Sequence, residues 1–317
     1  MVYDTGYSGF WKMKLESAWG TAETPDADVG LLEATGNIAE NQNVEQNYAT
    51  GSRLNNQLTY GKYGVSGSLT GTMLNGKLLA YALGTDTPTG TGPTTHTLAQ
   101  SDLTALSSFT LSQNFISTDK GFKVAGCRIN DFNIAMETGG KLTATYNWVG
   151  KDVPTIASTV GTRTAPTQTI LPSYVGTISW NASEIECKSF NFNYSNNLGE
   201  DEYSVGDRRR MALTQGQVEM GGSFVLMFSG LTEYNDFKAT FSTGIETSTA
   251  RALSFVATTG ATSTAYELSL GLTDVVLNER TQAIELSNNR VVSEFNFIPA
   301  SLGTVTFKDQ LATTYIA

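Results

Sequence analysis

Part of this chain occurs twice, and that repetition limits its fold more than any other feature. Glu45-Gln46-Asn47-Tyr48-Ala49-Thr50-Gly51-Ser52-Arg53 reappears, without a gap, as Glu200-Asp201-Glu202-Tyr203-Ser204-Val205-Gly206-Asp207-Arg208. The same offset pairs Leu58 with Leu213, Thr59 with Thr214, Gly61 with Gly216, Gly67 with Gly222 and Ser68 with Ser223. Alternation survives the shift as well. Val65, Gly67, Leu69, Gly71 and Met73 fall on one face of a strand, as do Met220, Gly222, Phe224, Leu226 and Phe228. Ser66, Ser68, Thr70 and Thr72 face the other way, the pattern of a half-buried antiparallel strand. We read this as an internal duplication, and 317 residues suffice for two domains of ordinary size.

Composition narrows the class. Charged residues make up only 16% of the chain, against 31 glycines and abundant Ser, Thr and Asn, the balance of a turn-rich β protein. A formal net charge of −10 argues against tight binding to a phosphate backbone, which needs clustered Lys and Arg. Cys127 and Cys187 have no CxxC spacing and read as reduced, buried thiols. With no apolar run of signal-peptide form and no membrane span, the expectation is a protein made and kept in a cytoplasm unless a larger particle carries it out.

Residues 1–30 read as an N-terminal arm, with Trp11 and Trp19 either folded back on their own domain or docked on a neighbouring subunit. A first domain is expected over 31–150. Leu74, Leu78 and Tyr81 predict a short helix ending at Gly84, and 84–106 reads as a long loop containing the only histidine, His96. Gly139-Gly140 separates two alternating runs and predicts a hairpin. Pro154, Pro166 and Pro172 mark a linker over 151–175. The second domain, 176–317, should hold a matching helix at Leu231, Tyr234, Phe237 and Phe241, and a C-terminal arm.

Motifs for chemistry are missing. There is no GxSxG elbow to accompany His96, no GxGxxG opening a helix and no GxxxxGK[ST]. Glu200-Asp201-Glu202 with Asp207 lacks the spacing of an EF-hand loop. Asn181-Ala182-Ser183 matches a glycosylation acceptor but lacks a secretory context. Arg208-Arg209-Arg210 is too short for a nucleic-acid patch and suits charge-assisted bonds to acidic turns of another subunit. No catalytic residue, metal site or cofactor is expected, and the reading is not that of an enzyme.

Several short elements together resemble the tail tube proteins of tailed bacteriophages and related viruses. They are Glu16-Ser17-Ala18-Trp19-Gly20-Thr21, the Gly-Ser/Thr strand leading into a Leu-rich helix at Leu83-Gly84, His96-Thr97, Ser108-Phe109-Thr110-Leu111, the hairpin closing at Gly150-Lys151, and Tyr174-Val175-Gly176-Thr177-Ile178-Ser179. The likeness spans nearly the whole chain. It implies a mainly β fold of two tandem tail-tube-like, barrel-forming β-sandwich domains, each with a short flanking α-helix. It also implies a structural virion protein, assembled in the host cytoplasm, that polymerises into stacked rings and conducts the viral genome. Three copies would close a pseudo-sixfold ring, with a hexamer as the other stoichiometry. Four strands per domain would give roughly 24 strands, a backbone diameter of about 45–50 Å and room for duplex DNA in transient, nonspecific passage.

Expected partners are further copies of the chain and other tail proteins: terminator, tape measure, and baseplate or tip. No membrane is involved. Contacts between rings are expected from the two turn tips, at Tyr48, Gly51 and Arg53 and at Tyr203, Gly206 and Arg208, unless these arginines simply face solvent. The competing reading is a monomeric two-domain β-sandwich that binds a carbohydrate or cell surface through exposed aromatics.

Overall fold

The computed structural model describes residues 9–101, 106–116, 118–157, 163, 168–227, 235, 251–260, 265–285 and 290–316. The chain is mainly β. The first half contains β1 (Gly9–Leu15), β2 (Ala27–Asp28), β3 (Leu31–Tyr48), β4 (Asn55–Met73), α1 (Lys77–Leu83), β5 (Gly84–Thr89), β6 (Thr94–Gln100), β7 (Phe109–Phe115), β8 (Lys120–Glu137), β9 (Thr143–Gly150) and β10 (Asp152–Ala157). A 3-10 turn at Ser173–Val175 leads into β11 (Gly176–Trp180), β12 (Ser183–Ile185), β13 (Cys187–Ser195), β14 (Glu219–Met227), β15 (Arg251–Thr258), β16 (Glu267–Glu285) and β17 (Arg290–Asp309).

Among the described residues every strand pairing is antiparallel, and the two halves follow one order. In the first, β1 pairs β7, then β8, β9, β4 and β3. In the second, β11 pairs β15, then β16, β17, β14 and β13. The correspondence extends to detail. Gly67 lies opposite Trp148 in β9, and Gly222 opposite Phe297 in β17. A Cβ at Gly67 would collide with the Asn37 carbonyl and the Trp148 ring, and one at Gly222 with the Asn191 carbonyl and the Phe297 ring. Beside each aromatic the long strand bulges, between Ile129 and Asp131 in β8 and between Leu277 and Glu279 in β16. Such a bulge bends a strand and lets it leave one sheet for another. β8 accordingly pairs β7 and β10 with its first half, and β9 and β13 with its second.

One core runs through both halves, from Trp11, Leu69 and Phe109 to Phe190, Phe255 and Phe297. Phe190 stacks on Phe255 at 4.7 Å between ring centroids, and Tyr81 meets Phe109 edge-on at 5.1 Å. Helix α1 buries Leu78 through Leu83 and stops at Gly84, whose left-handed φ of 107° closes the helix through its N–H to Ala80 O. The expected helix near Leu231 lies outside the described residues, apart from residue 235.

One expectation is revised, and the two terminal segments are placed. Residues 84–100 of the segment expected as a loop over 84–106 form the β5–β6 hairpin, whose inward positions include the polar Thr94 and His96, so its alternation carries little hydrophobic signal. The N-terminal arm contributes β1 to a sheet, held by seven residue pairs to β7. The C-terminal arm up to Asp309 belongs to β17, which pairs both β16 and β6. Because backbone carbonyls cannot move aside, Gly67→Ala and Gly222→Ala should each destabilise the fold by about 2 kcal/mol, read as a lower denaturant midpoint; Gly51→Ala at an open turn should cost less.

Candidate self-assembly interface

The two halves are joined edge to edge. β13 lies against the second half of β8 in seven consecutive pairs, from Ser189 opposite Glu137 to Ser195 opposite Asp131. Phe132 stacks on Tyr194 across this seam at 5.1 Å, both rings being buried, and Asn133 Nδ2 donates to Asn191 Oδ1 at 2.9 Å. Buried Asn196 locks the end of the seam, donating through Nδ2 to Ala82 O and Ile129 O at 3.0 Å each. β6 on β17 forms a second strand pairing between the halves. At the far ends two edges stay open among the described residues. β3 pairs only β4, and β16 beyond Val275 pairs only β17. Open edges present unpaired N–H and C=O groups and invite another chain.

The joined sheet has one apolar face and one polar face, because side chains alternate along each strand. Across the polar face the first half sets Asn37, Ser68, Asn147 and Asp131 side by side on four adjacent strands. The second half sets Asn191, Ser223, Asn296 and Glu279 in the same succession. Asn147 donates to Asp131, and Asn296 to Glu279 at 2.8 Å. The row holds carboxylates and amides with no lysine or arginine.

The two repeated tips are placed differently. Tyr48 pairs with Asn55 and Tyr203 bridges Arg210, so the turns correspond in register. The first tip ends a projecting hairpin whose residues 41–60 are all exposed, including Gly51 and Arg53. Val44, Leu58 and Tyr60 share one face with Tyr48, and Leu54 at the turn is 78% exposed. The second tip folds onto the base of that hairpin. Tyr203 donates through its hydroxyl to Tyr63 O at 3.1 Å, and Arg208 Nε donates to Gly61 O at 2.8 Å with its guanidinium over Tyr60. Gly206 stays exposed at the turn.

Residues considered for chemistry have structural partners. Arg209 pairs with Asp152 and Arg210 with Glu200, both at 3.1 Å. Arg210 is buried and donates to Val65 O and Gly150 O, tying the second tip segment to β4 and β9; sequence alone did not separate it from its two exposed neighbours. Asp201 meets Lys62 at 3.0 Å, and Glu202 accepts from Thr214. Trp11 lies in the core of its own chain, while Trp19 donates to Gly126 O at 3.2 Å beneath the Lys151 ammonium. The buried Glu16 carboxylate anchors this corner, accepting from Ser108, Thr110, Gly20 N and Gly126 N.

His96 is fully buried. Nδ1 faces both carboxylate oxygens of Asp86 at 3.1 Å, Nε2 faces Leu311 O at 3.0 Å and Asp309 at 3.5 Å, and the ring stacks on Tyr315 at 3.7 Å. This node fastens the C-terminal segment to the β5–β6 hairpin and offers no route to a substrate. Burial alone would lower the imidazole pKa, but bonds to Asp309 and Asp86 outweigh it and hold it at about 9, above the ordinary 6.5. A raised pKa stabilises the fold fully below 6.5, and that contribution is lost as pH rises through about 9. Thermal unfolding between pH 7 and 10 should therefore fall more steeply for the native chain than for His96→Gln; parallel curves would contradict this role.

The model of a phage tail tube protein family matches residues 11–299. No curated protein matches the chain in sequence. That family match covers nearly the whole chain and agrees with the mainly β architecture, so the chain belongs to the phage tail tube protein family.

Proposed function

We propose that three copies of this chain close into a ring, and that stacked rings form the hollow tail tube through which viral DNA passes. The observation that carries this reading is the β8–β13 seam. Within one chain, the leading hairpin of the second half completes the open edge of the first half. The second half ends on the corresponding open edge of β16, and the first begins on the corresponding edge of β3. Edges of that kind are satisfied when copies join head to tail and the rotation closes. Each half places four strands in the common sheet, so three copies carry roughly 24, enclosing a bore of about 35–40 Å once side chains are allowed for.

The polar face lines that bore. Its amide-and-carboxylate rows carry Asp131 and Glu279, which repel a phosphate backbone, while the chain as a whole has a net charge of −10. A wall without clustered cations leaves DNA free to slide. The apolar face, with α1, lies outside it. The projecting β3–β4 hairpin reaches the adjacent ring and buries its Leu54, Leu58 and Tyr60 side chains there, with Arg53 set against acidic groups across the stack. Terminator, tape measure and baseplate or tip proteins cap and fill the tube, which is assembled in the host cytoplasm. A carbohydrate-binding monomer would instead carry an aromatic platform. Here Trp148, Trp180, Phe190, Phe224 and Phe297 are all buried, and the exposed Tyr48 and Tyr60 stand on a projecting hairpin and not in a cleft.

Negative-stain microscopy and native mass spectrometry of the purified chain test this reading. Rings or tubes of uniform width with three-chain units are expected. Leu54→Glu/Leu58→Glu should leave the chain folded but stop growth beyond single rings. Tubes of undiminished length in that variant would remove the hairpin from the stack, and a monomer at every concentration would remove the ring.

A further inference from the structure

The seam inside the chain predicts, residue by residue, the seam between chains. We propose that β3 of one copy pairs with residues 279–285 of β16 in the preceding copy, in the register that sets Glu40 directly opposite Arg280. The proposal rests on the ring reading and adds its register and its recognition pair.

The register follows from internal landmarks. The bulge at Asn130 in β8 matches the one at Asn278 in β16, making Asp131 equivalent to Glu279 and Phe132 to Arg280. β3 and β13 are aligned through their partners. Ile38 opposes Gly67 as Phe192 opposes Gly222, and each strand is bulged just before Thr35 or Ser189. Within the chain, Ser195 opposes Asp131, Tyr194 opposes Phe132 and Ser189 opposes Glu137. Transferred to the open edges, Asn41 opposes Glu279, Glu40 opposes Arg280 and Thr35 opposes Glu285.

The aromatic stack of the internal seam is thus replaced by a pair of opposite charge. Both groups already point toward the apolar side, since Glu40 opposes Val65 and Arg280 opposes Phe295. Each is held by its own sheet. Glu40 accepts from the Tyr63 hydroxyl at 2.5 Å, and Arg280 donates to Gln282 and Ser293, its guanidinium 5.9 Å from the centre of the Phe295 ring. Phe132 and Tyr194, which occupy this place internally, are 2% and 1% exposed. Closing the external seam would withdraw Glu40 and Arg280 from water to a similar degree. Inward-pointing charges on open edges discourage promiscuous strand pairing before assembly. Matched to each other, they select one edge and one register.

Oxidative cross-linking reads the register directly. Ala39→Cys/Thr281→Cys, a directly opposed pair, should yield disulfide-linked dimers and trimers on a non-reducing gel of assembled tubes. The slipped pair Ala39→Cys/Glu279→Cys should cross-link far less, because diagonal neighbours lie about 7–8 Å apart. Glu40→Arg and Arg280→Glu should each raise the concentration needed for assembly about tenfold or more, and the double exchange should restore it. Tubes in which only the slipped pair links, or in which single charge reversals assemble as well as the native chain, overturn the register while leaving the ring intact. Absence of rings from the native chain would instead remove the reading beneath it. If a reversed chain fails to fold, the cysteine pair alone decides.

Discussion

A strand at the edge of a sheet carries peptide groups that must be hydrogen-bonded somewhere, and among the described residues β3 and the end of β16, at the two ends of the joined sheet, each have a neighbour on one side only. Its interior is closed. Aromatic residues from both halves share one core, and β13 covers the outer half of β8. The edges of β3 and of the last third of β16 stand where an internal neighbour would be if the order of strands continued. On the proposed ring, growth by addition of further copies would continue a pairing the chain already makes once with itself.

The internal seam and the proposed seam between chains differ in a way that suits their histories. The internal seam forms during folding of a single chain and never needs to dissociate in water, so it can be sealed by stacked rings and by Asn196. An edge that waits in solution for a partner cannot present those rings without risk of aggregation. Polar residues along β3, and Glu279 and Arg280 in β16, fit a surface that must remain soluble first and pair later. The same division separates the tips. Tyr203 and Arg208 are spent on contacts with Gly61 and Tyr63 of their own chain, whereas Tyr48 and Arg53 stand free of the body on a hairpin with an apolar stripe.

Much of the fold was legible in the sequence because alternation reports burial. The faces of β4 and β14, the Gly139-Gly140 turn and the end of α1 at Gly84 all follow from residue type. The β5–β6 hairpin was not legible, since its inward positions include the polar Thr94 and His96, and His96 is met in part by Leu311 O, far along the chain. The repeated Asn-Ser-Asn-acid rows were also hidden. Their members sit on four strands whose spacing differs between halves, so no single offset aligns them, although the 155-residue offset finds the tips and the two glycines (Gly67 and Gly222). Arg210 could not be told from Arg208 and Arg209 by sequence, because only the return of the second tip onto β4 buries it. The arm residues were ambiguous for a related reason. A tryptophan near a chain end reads alike whether its pocket lies in its own domain or in a neighbour, and here the β1–β7 pairing places Trp11 in the chain's own core.

The central claim is that these two edges become interior strands on assembly. Hydrogen–deuterium exchange, compared between the unassembled chain and purified tubes, measures this at the peptide groups concerned. Outward-facing amides of residues 35–41 and 279–285 should exchange freely in the unassembled chain and become protected in tubes, while those of β8 and β13 are protected in both. Equal exchange at the two edges before and after assembly would contradict the account.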